Sequence, residues 1–90
     1  MRIDLSAEAE ADLVRIYAFN LERGLAWADR VENRLLKRTE ALLITPFIGR
    51  ALRERGLRRI STTDIQYVID YRPTETVIEI LRFRHTREVR

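Results

Sequence analysis

The sequence predicts an α+β fold: an N-terminal strand, an α-helical hairpin, then a three-stranded antiparallel sheet, all in a single domain over 1–90. Three observations predict it. Apolar residues recur at helical spacing over two stretches, residues 7–22 and 26–43. The last third, Ile65–Arg90, instead shows the period of two that belongs to strands, broken by a polar turn. Helices and strands are also segregated along the chain rather than alternating, which argues against a doubly wound parallel sheet.

Each element has its own justification. Arg2–Leu5 (RIDL) alternates polar and apolar residues, with Ile3 and Leu5 on one side, as in a short strand. Ser6 fits an N-cap, because its hydroxyl can accept an otherwise unpaired helix N–H. Glu8, Glu10 and Asp12 follow near the positive end of the helix dipole. Ala9, Leu13, Ile16, Tyr17 and Asn20 recur at helical spacing, and Gly24 is a stop signal. The inward stripe of the second helix is Ala28, Val31, Leu35, Thr39 and Leu42. Pro46 ends it, since the residue before a proline is pushed out of helical geometry. The short connection at Gly24 makes the helices antiparallel neighbours. Trp27 opens the second helix and reads as a packing anchor near that turn.

Phe47–Gly56 (FIGRALRERG), with two glycines and Arg50, Arg53 and Arg55, reads as a loop. Leu57–Thr62 is a short strand and Thr63-Asp64 a polar turn. Ile65–Arg72 is a strand with Tyr67, Ile69 and Tyr71 on one face. Pro73-Thr74-Glu75 turns into the last strand, Thr76–Arg84. There Ile78 and Ile80 point one way while Val77, Leu81 and Phe83 point the other, so this strand is apolar on both faces. Two helices cover only one face of a small sheet. The second row must meet the folded-back C-terminal residues, a second copy or a partner. Which row faces the helices stays open at this level.

Composition excludes several classes of function. With 46% apolar and 34% charged residues in 90, this is an ordinary globular chain with a limited core. No cysteine means no disulfide framework, no thiolate metal site and no thiol nucleophile. With one histidine as well, no transition-metal site and no cofactor are expected. No apolar run approaches the roughly 18 residues of a membrane span, and MRIDLSAEAEADL is acidic and amphipathic, unlike a signal peptide. A cytoplasmic location without membrane contact is therefore expected. Charge is uneven: residues 1–45 carry seven basic and eight acidic groups, residues 46–90 ten basic and six acidic. The basic half is arginine-rich, which suits phosphate or carboxylate partners. A solvated arginine surface is the plainer alternative.

Several local sequences fall in a telling order. SAEAEADLVRIYAF forms the first helix, and PFIGR follows the second. Leu57-Arg58-Arg59 precedes Tyr67-Val68-Ile69-Asp70-Tyr71-Arg72, and the last strand, Val77–Arg84, runs into His85. Together they resemble the RelE/ParE superfamily of toxins from bacterial type II toxin–antitoxin pairs, over nearly the whole chain. The histidine-ended last strand resembles the ParE-like branch.

The resemblance implies one of two activities. RelE-like members cleave messenger RNA at the ribosomal A site, holding phosphates with arginine and lysine and using an acid/base residue near the C-terminus, often tyrosine. ParE-like members inhibit DNA gyrase by trapping it on cleaved DNA, with no established hydrolytic chemistry. Both are silenced by a cognate antitoxin, so a hetero-oligomer is expected. Here Arg90 stands where the tyrosine would be. An arginine does not lose its proton near neutral pH and cannot act as a general base. His85 is then the only side chain whose ordinary pKa suits proton transfer.

The tail therefore favours the ParE-like branch, with gyrase as target, a ParD-like antitoxin and no established catalytic residue. In the RelE-like alternative, the partners are the ribosome and messenger RNA, His85 is the acid/base, and Arg59 and Arg84 clamp phosphates. Arg53, Arg59, Arg82, Arg84 and Arg87 are the candidate target or phosphate contacts. Val77, Leu81 and Phe83 are the candidate antitoxin contacts. A third reading is a module that binds its antitoxin without being toxic. Plainer roles stand beside these: His85 as a hydrogen-bonded strand end, and Arg82 and Arg84 as charges that protect a sheet edge.

Overall fold

A helical hairpin lies on one face of a five-stranded mixed sheet in the computed structural model, which describes residues 1–89. The elements are β1 (Arg2–Leu5), α1 (Ala7–Leu21), α2 (Leu25–Ala41), β2 (Arg50–Ala51), β3 (Arg58–Thr62), β4 (Tyr67–Pro73) and β5 (Val77–His85). A 3₁₀ turn, Thr86–Val89, follows. The strand order is β1-β5-β4-β3-β2, antiparallel throughout except that β1 runs parallel to β5. The sheet therefore has four strands after the helices, one more than expected. The additional strand is Arg50–Ala51, in the stretch read as loop. Two residues carry no periodicity, and their pairing with Arg59 and Arg58 is decided by tertiary tethers.

Local signals place the helices. The Ser6 hydroxyl accepts from Ala9 N at 3.0 Å and donates to the Leu81 carbonyl at 2.9 Å, so one cap also ties α1 to β5. Gly24, at φ +120°, makes the tight reversal between the helices in a conformation that a side chain would strain. All five expected stripe residues are buried, four within α2 and Leu42 as its C-cap. In α1 the buried set is Ala9, Asp12, Ile16 and Asn20, with Leu13 and Tyr17 only half-buried. Asp12, one of the acidic residues near the start of α1, thus lies inside. Trp27 behaves as the expected anchor: its Nε1 donates to Asn20 Oδ1 at 2.8 Å, and Arg23 covers its ring at 4.1 Å.

The strongest departure from simple alternation is in β5. Asp70 pairs with Arg82 but Tyr71 pairs with Ile80, leaving Leu81 as an extra residue in a β-bulge. A bulge reverses the inward–outward order beyond it. Ile78 and Ile80 face the helices before it, and Phe83 faces them after it, all three fully buried. Phe83 therefore joins the core with Ile16, Val31, Leu35, Ile69 and Tyr71. The expectation that Phe83 shares an outer row with Val77 and Leu81 is corrected: only those two remain half-buried.

One close approach holds the turn into β2. Gly49 N donates to Tyr71 Oη at 2.9 Å. A Cβ at Gly49 would meet that oxygen at 2.6 Å, Tyr71 Cε1 at 2.8 Å and the Arg59 carbonyl at 3.0 Å. Gly49→Ala is expected to cost about 1–3 kcal/mol, the usual range for overpacking. Urea denaturation checks it, and an unchanged midpoint would show that Tyr71 moves freely.

Candidate functional site

The face of the sheet away from the helices is organised around one carboxylate. Asp70, central in β4, is buried there at 4% exposure. Arg59 on β3 donates to it twice, Nε to Oδ1 at 2.6 Å and Nη2 to Oδ2 at 2.9 Å. Arg84 on β5 donates from Nη2 to Oδ2 at 2.7 Å. The strand pairing explains the meeting, since Asp70 is opposite Arg59 and two residues along β4, on the same face, from Arg84's partner Val68. Burial pushes the Asp70 carboxyl up, but the bonds from Arg59 and Arg84 outweigh it and hold the group below its ordinary value.

A second buried carboxylate, Asp12 on α1, meets the edge of β5 that β1 leaves open. Ser6 N donates to the Ile80 carbonyl at 2.9 Å, and the chain then turns into the helix. Asp12 Oδ2 accepts from Phe83 N at 2.9 Å, doing for that edge N–H what a neighbouring strand would do. The same carboxylate accepts Arg82 Nε at 2.7 Å and Nη2 at 3.0 Å, and Arg15 Nη2 at 3.3 Å. Burial raises its pKa, but the bonds from Arg82, Phe83 N and Arg15 together bring it below the ordinary value.

Both folded-state pKa values are thus lower than the unfolded value of 3.8. Stability from these groups is fully present above that value and is lost as pH falls through it toward the folded pKa values. Urea midpoints should therefore hold steady from pH 7 to about 5 and drop below about pH 4. The drop should shrink in Asp70→Asn. A profile identical to that of the unaltered chain would show that Asp70 does not contribute.

His85 belongs to a different place. Its ring packs edge-on against Tyr67, with centroids 5.2 Å apart. Its Nδ1 accepts from Arg87 N at 3.1 Å, and the His85 backbone N–H donates to Glu88 Oε1 at 2.8 Å. An open pocket of about 330 Å³ beside it is lined by Arg15, Ile16, Phe19, Tyr67, His85, Arg87 and Glu88. Arg82, Arg84, Asp70 and Leu81 line another, of about 370 Å³, with Ser6, Glu8, Glu54, Leu57 and Arg72. The two linings share no residue. Adjacent positions on a strand project to opposite faces, and Arg84 and His85 are adjacent.

The structure thus brings together Arg59, Arg82, Arg84 and Leu81, and separates His85 and Arg87 from them. Arg53 is exposed in the β2–β3 connection, Val77 is half-buried at the start of β5, and Phe83 is core. Arg90 lies outside the described residues. Sequence reading missed Asp12 and Asp70, the carboxylates that restrain the arginines. A signal existed for each: Asp12 sits at helical spacing with Ile16 and Asn20, and Asp70 interrupts the apolar run from Tyr67 to Tyr71.

The N-terminal strand and the helical hairpin packed on a sheet make the small α+β domain that the sequence led us to expect, and the arginine–carboxylate pairs around Asp70 are what the structure adds to it. The model of the ParE toxin of type II toxin-antitoxin system, parDE, matches residues 3–90, and the chain belongs to that family. Among solved structures it is similar to a chain from the chromosomal ParDE TA system from P. aeruginosa. The TM-score is 0.84 at 22% identity, covering 94% of this chain and 95% of that one. At that identity the likeness bears on the fold. No curated protein matches this chain. Among the described residues, no helix is long and apolar enough to cross a membrane.

Proposed function

We propose that this chain is a cytoplasmic, ParE-like toxin that inhibits DNA gyrase by binding and is neutralised by a cognate, ParD-like antitoxin. One observation carries the choice of binding over cleavage. The arginines that would clamp a phosphodiester are committed to Asp70, while the one histidine lines a separate pocket. General acid–base catalysis needs the proton-transfer group within hydrogen-bond reach of the bond held by the clamp. His85 with Arg59 and Arg84 does not form such a group. Arg82 is likewise paired, with Asp12.

Of the five candidate target contacts this leaves Arg53 and Arg87, both exposed and in no ion pair among the described residues, to reach a target, with Arg59, Arg82 and Arg84 held in ion pairs. Val77 and Leu81 offer the antitoxin an apolar strip on β5, and Phe83 supports it from beneath. The purified chain should block gyrase supercoiling or accumulate cleaved DNA, while leaving translation in a cell-free extract running. Untouched supercoiling together with arrested translation would overturn the proposal in favour of the ribosome-dependent nuclease.

A further inference from the structure

We propose that the corner between the end of α2 and β2 is a docking surface for an acidic, strand-forming segment of a partner protein. Within six residues, Leu43, Ile44, Phe47 and Ile48 stand 42%, 85%, 65% and 57% exposed. Single exposed apolar residues are ordinary on any surface, whereas a contiguous group marks an interaction site.

The backbone under this group is pinned. Ile48 N donates to the Thr45 carbonyl at 3.2 Å and Gly49 N to Tyr71 Oη at 2.9 Å. Arg58 Nη1 donates to the carbonyls of Phe47 and Gly49 at 3.1 and 2.7 Å, and its guanidinium sits 5.2 Å over the Phe47 ring. A loop free to rearrange would turn such side chains toward the core. This one holds them outward, so a partner meets a preformed surface and loses less to ordering it.

Two further features select the occupant. β2 is the last strand of the sheet, so its outer side offers backbone groups to an added strand. Arg50, Arg53 and Arg55 follow directly, against Glu54 alone, and none of the three is in an ion pair among the described residues. Carboxylates flanking an apolar anchor would complement them. A second copy of this chain would bring three like charges to the same place, which disfavours self-association. The inference does not depend on which cellular target the chain inhibits.

The test titrates two fluorescein-labelled peptides into the full chain by anisotropy, one alternating valine with glutamate and one alternating valine with lysine. The glutamate peptide should bind at least about tenfold more tightly. Amide resonances of residues 44–51 should shift on binding. Phe47→Ser combined with Ile48→Ser changes only exposed side chains and should keep the melting temperature while weakening this binding about tenfold or more. Arg50→Glu with Arg53→Glu should abolish the preference between peptides. The proposal is overturned by no binding, by equal binding of the two peptides, by variants that bind like the unaltered chain, or by shifts confined to the sheet face around Asp70. A dimer in sedimentation velocity that the serine variant dissolves would also overturn it, assigning the corner to a second copy.

Discussion

Replacing Asp12 by alanine is expected to destabilise the fold by about 3 kcal/mol, combining an orphaned buried N–H with a broken charge pair. The carboxylate accepts from Phe83 N and twice from Arg82, and its own side chain is only 5% exposed. Alanine leaves the Phe83 N–H facing a gap that no strand fills, because β1 ends at Leu5. Arg82 is 40% exposed and partly recovers its hydration, so the loss stays below that of a fully buried pair. In a domain of this size, the melting temperature should fall by roughly 12–24 °C. Asp12→Asn keeps an oxygen acceptor for Phe83 N and should lose roughly half as much. A loss under about 1 kcal/mol for alanine would show that water satisfies that edge.

Phe83→Ala is expected to cost about 3–5 kcal/mol, the range for removing a fully buried phenylalanine. Its ring is 0% exposed and packs in the cluster that contains Ile16, Leu35 and Tyr71. Leu81→Ala, at the half-buried bulge, should stay within about 1.5 kcal/mol and instead weaken antitoxin binding. The pair separates core from surface on one strand. Urea denaturation of both variants checks it. Similar costs for the two variants would mean that the bulge is misplaced and that Leu81 and Phe83 share one face, as simple alternation has it.

That strand also shows what was legible in the sequence. The stripe of α2 could be read completely, because helical periodicity needs only residues three and four apart. The N-cap at Ser6 and the reversal at Gly24 were visible for the same reason. The bulge at Leu81 was not, because an extra residue is defined only against the partner strand. Arg50–Ala51 became a strand through Tyr71 and Arg58, side chains distant in sequence from it. The arginines presented the same difficulty. Arg59, Arg82 and Arg84 looked like free cations in a basic half, and only the register of β3, β4 and β5 sets Asp70 between two of them. The α1–β5 contact does the same for Asp12 and Arg82. The comparison of Arg90 with a catalytic tyrosine rests on sequence, while the separation of His85 from Arg84 rests on strand geometry, and both point away from cleavage.

Occupancy of a protein target, not turnover, is the central claim, and a supercoiling titration tests it most directly. Gyrase is assayed at several concentrations against increasing amounts of the purified chain, alongside His85→Ala. The amount of chain giving full inhibition should rise in proportion to gyrase, and His85→Ala should inhibit as the unaltered chain does. Unaffected supercoiling, with messenger RNA cleaved on ribosomes by substoichiometric chain and spared by His85→Ala, would contradict the claim.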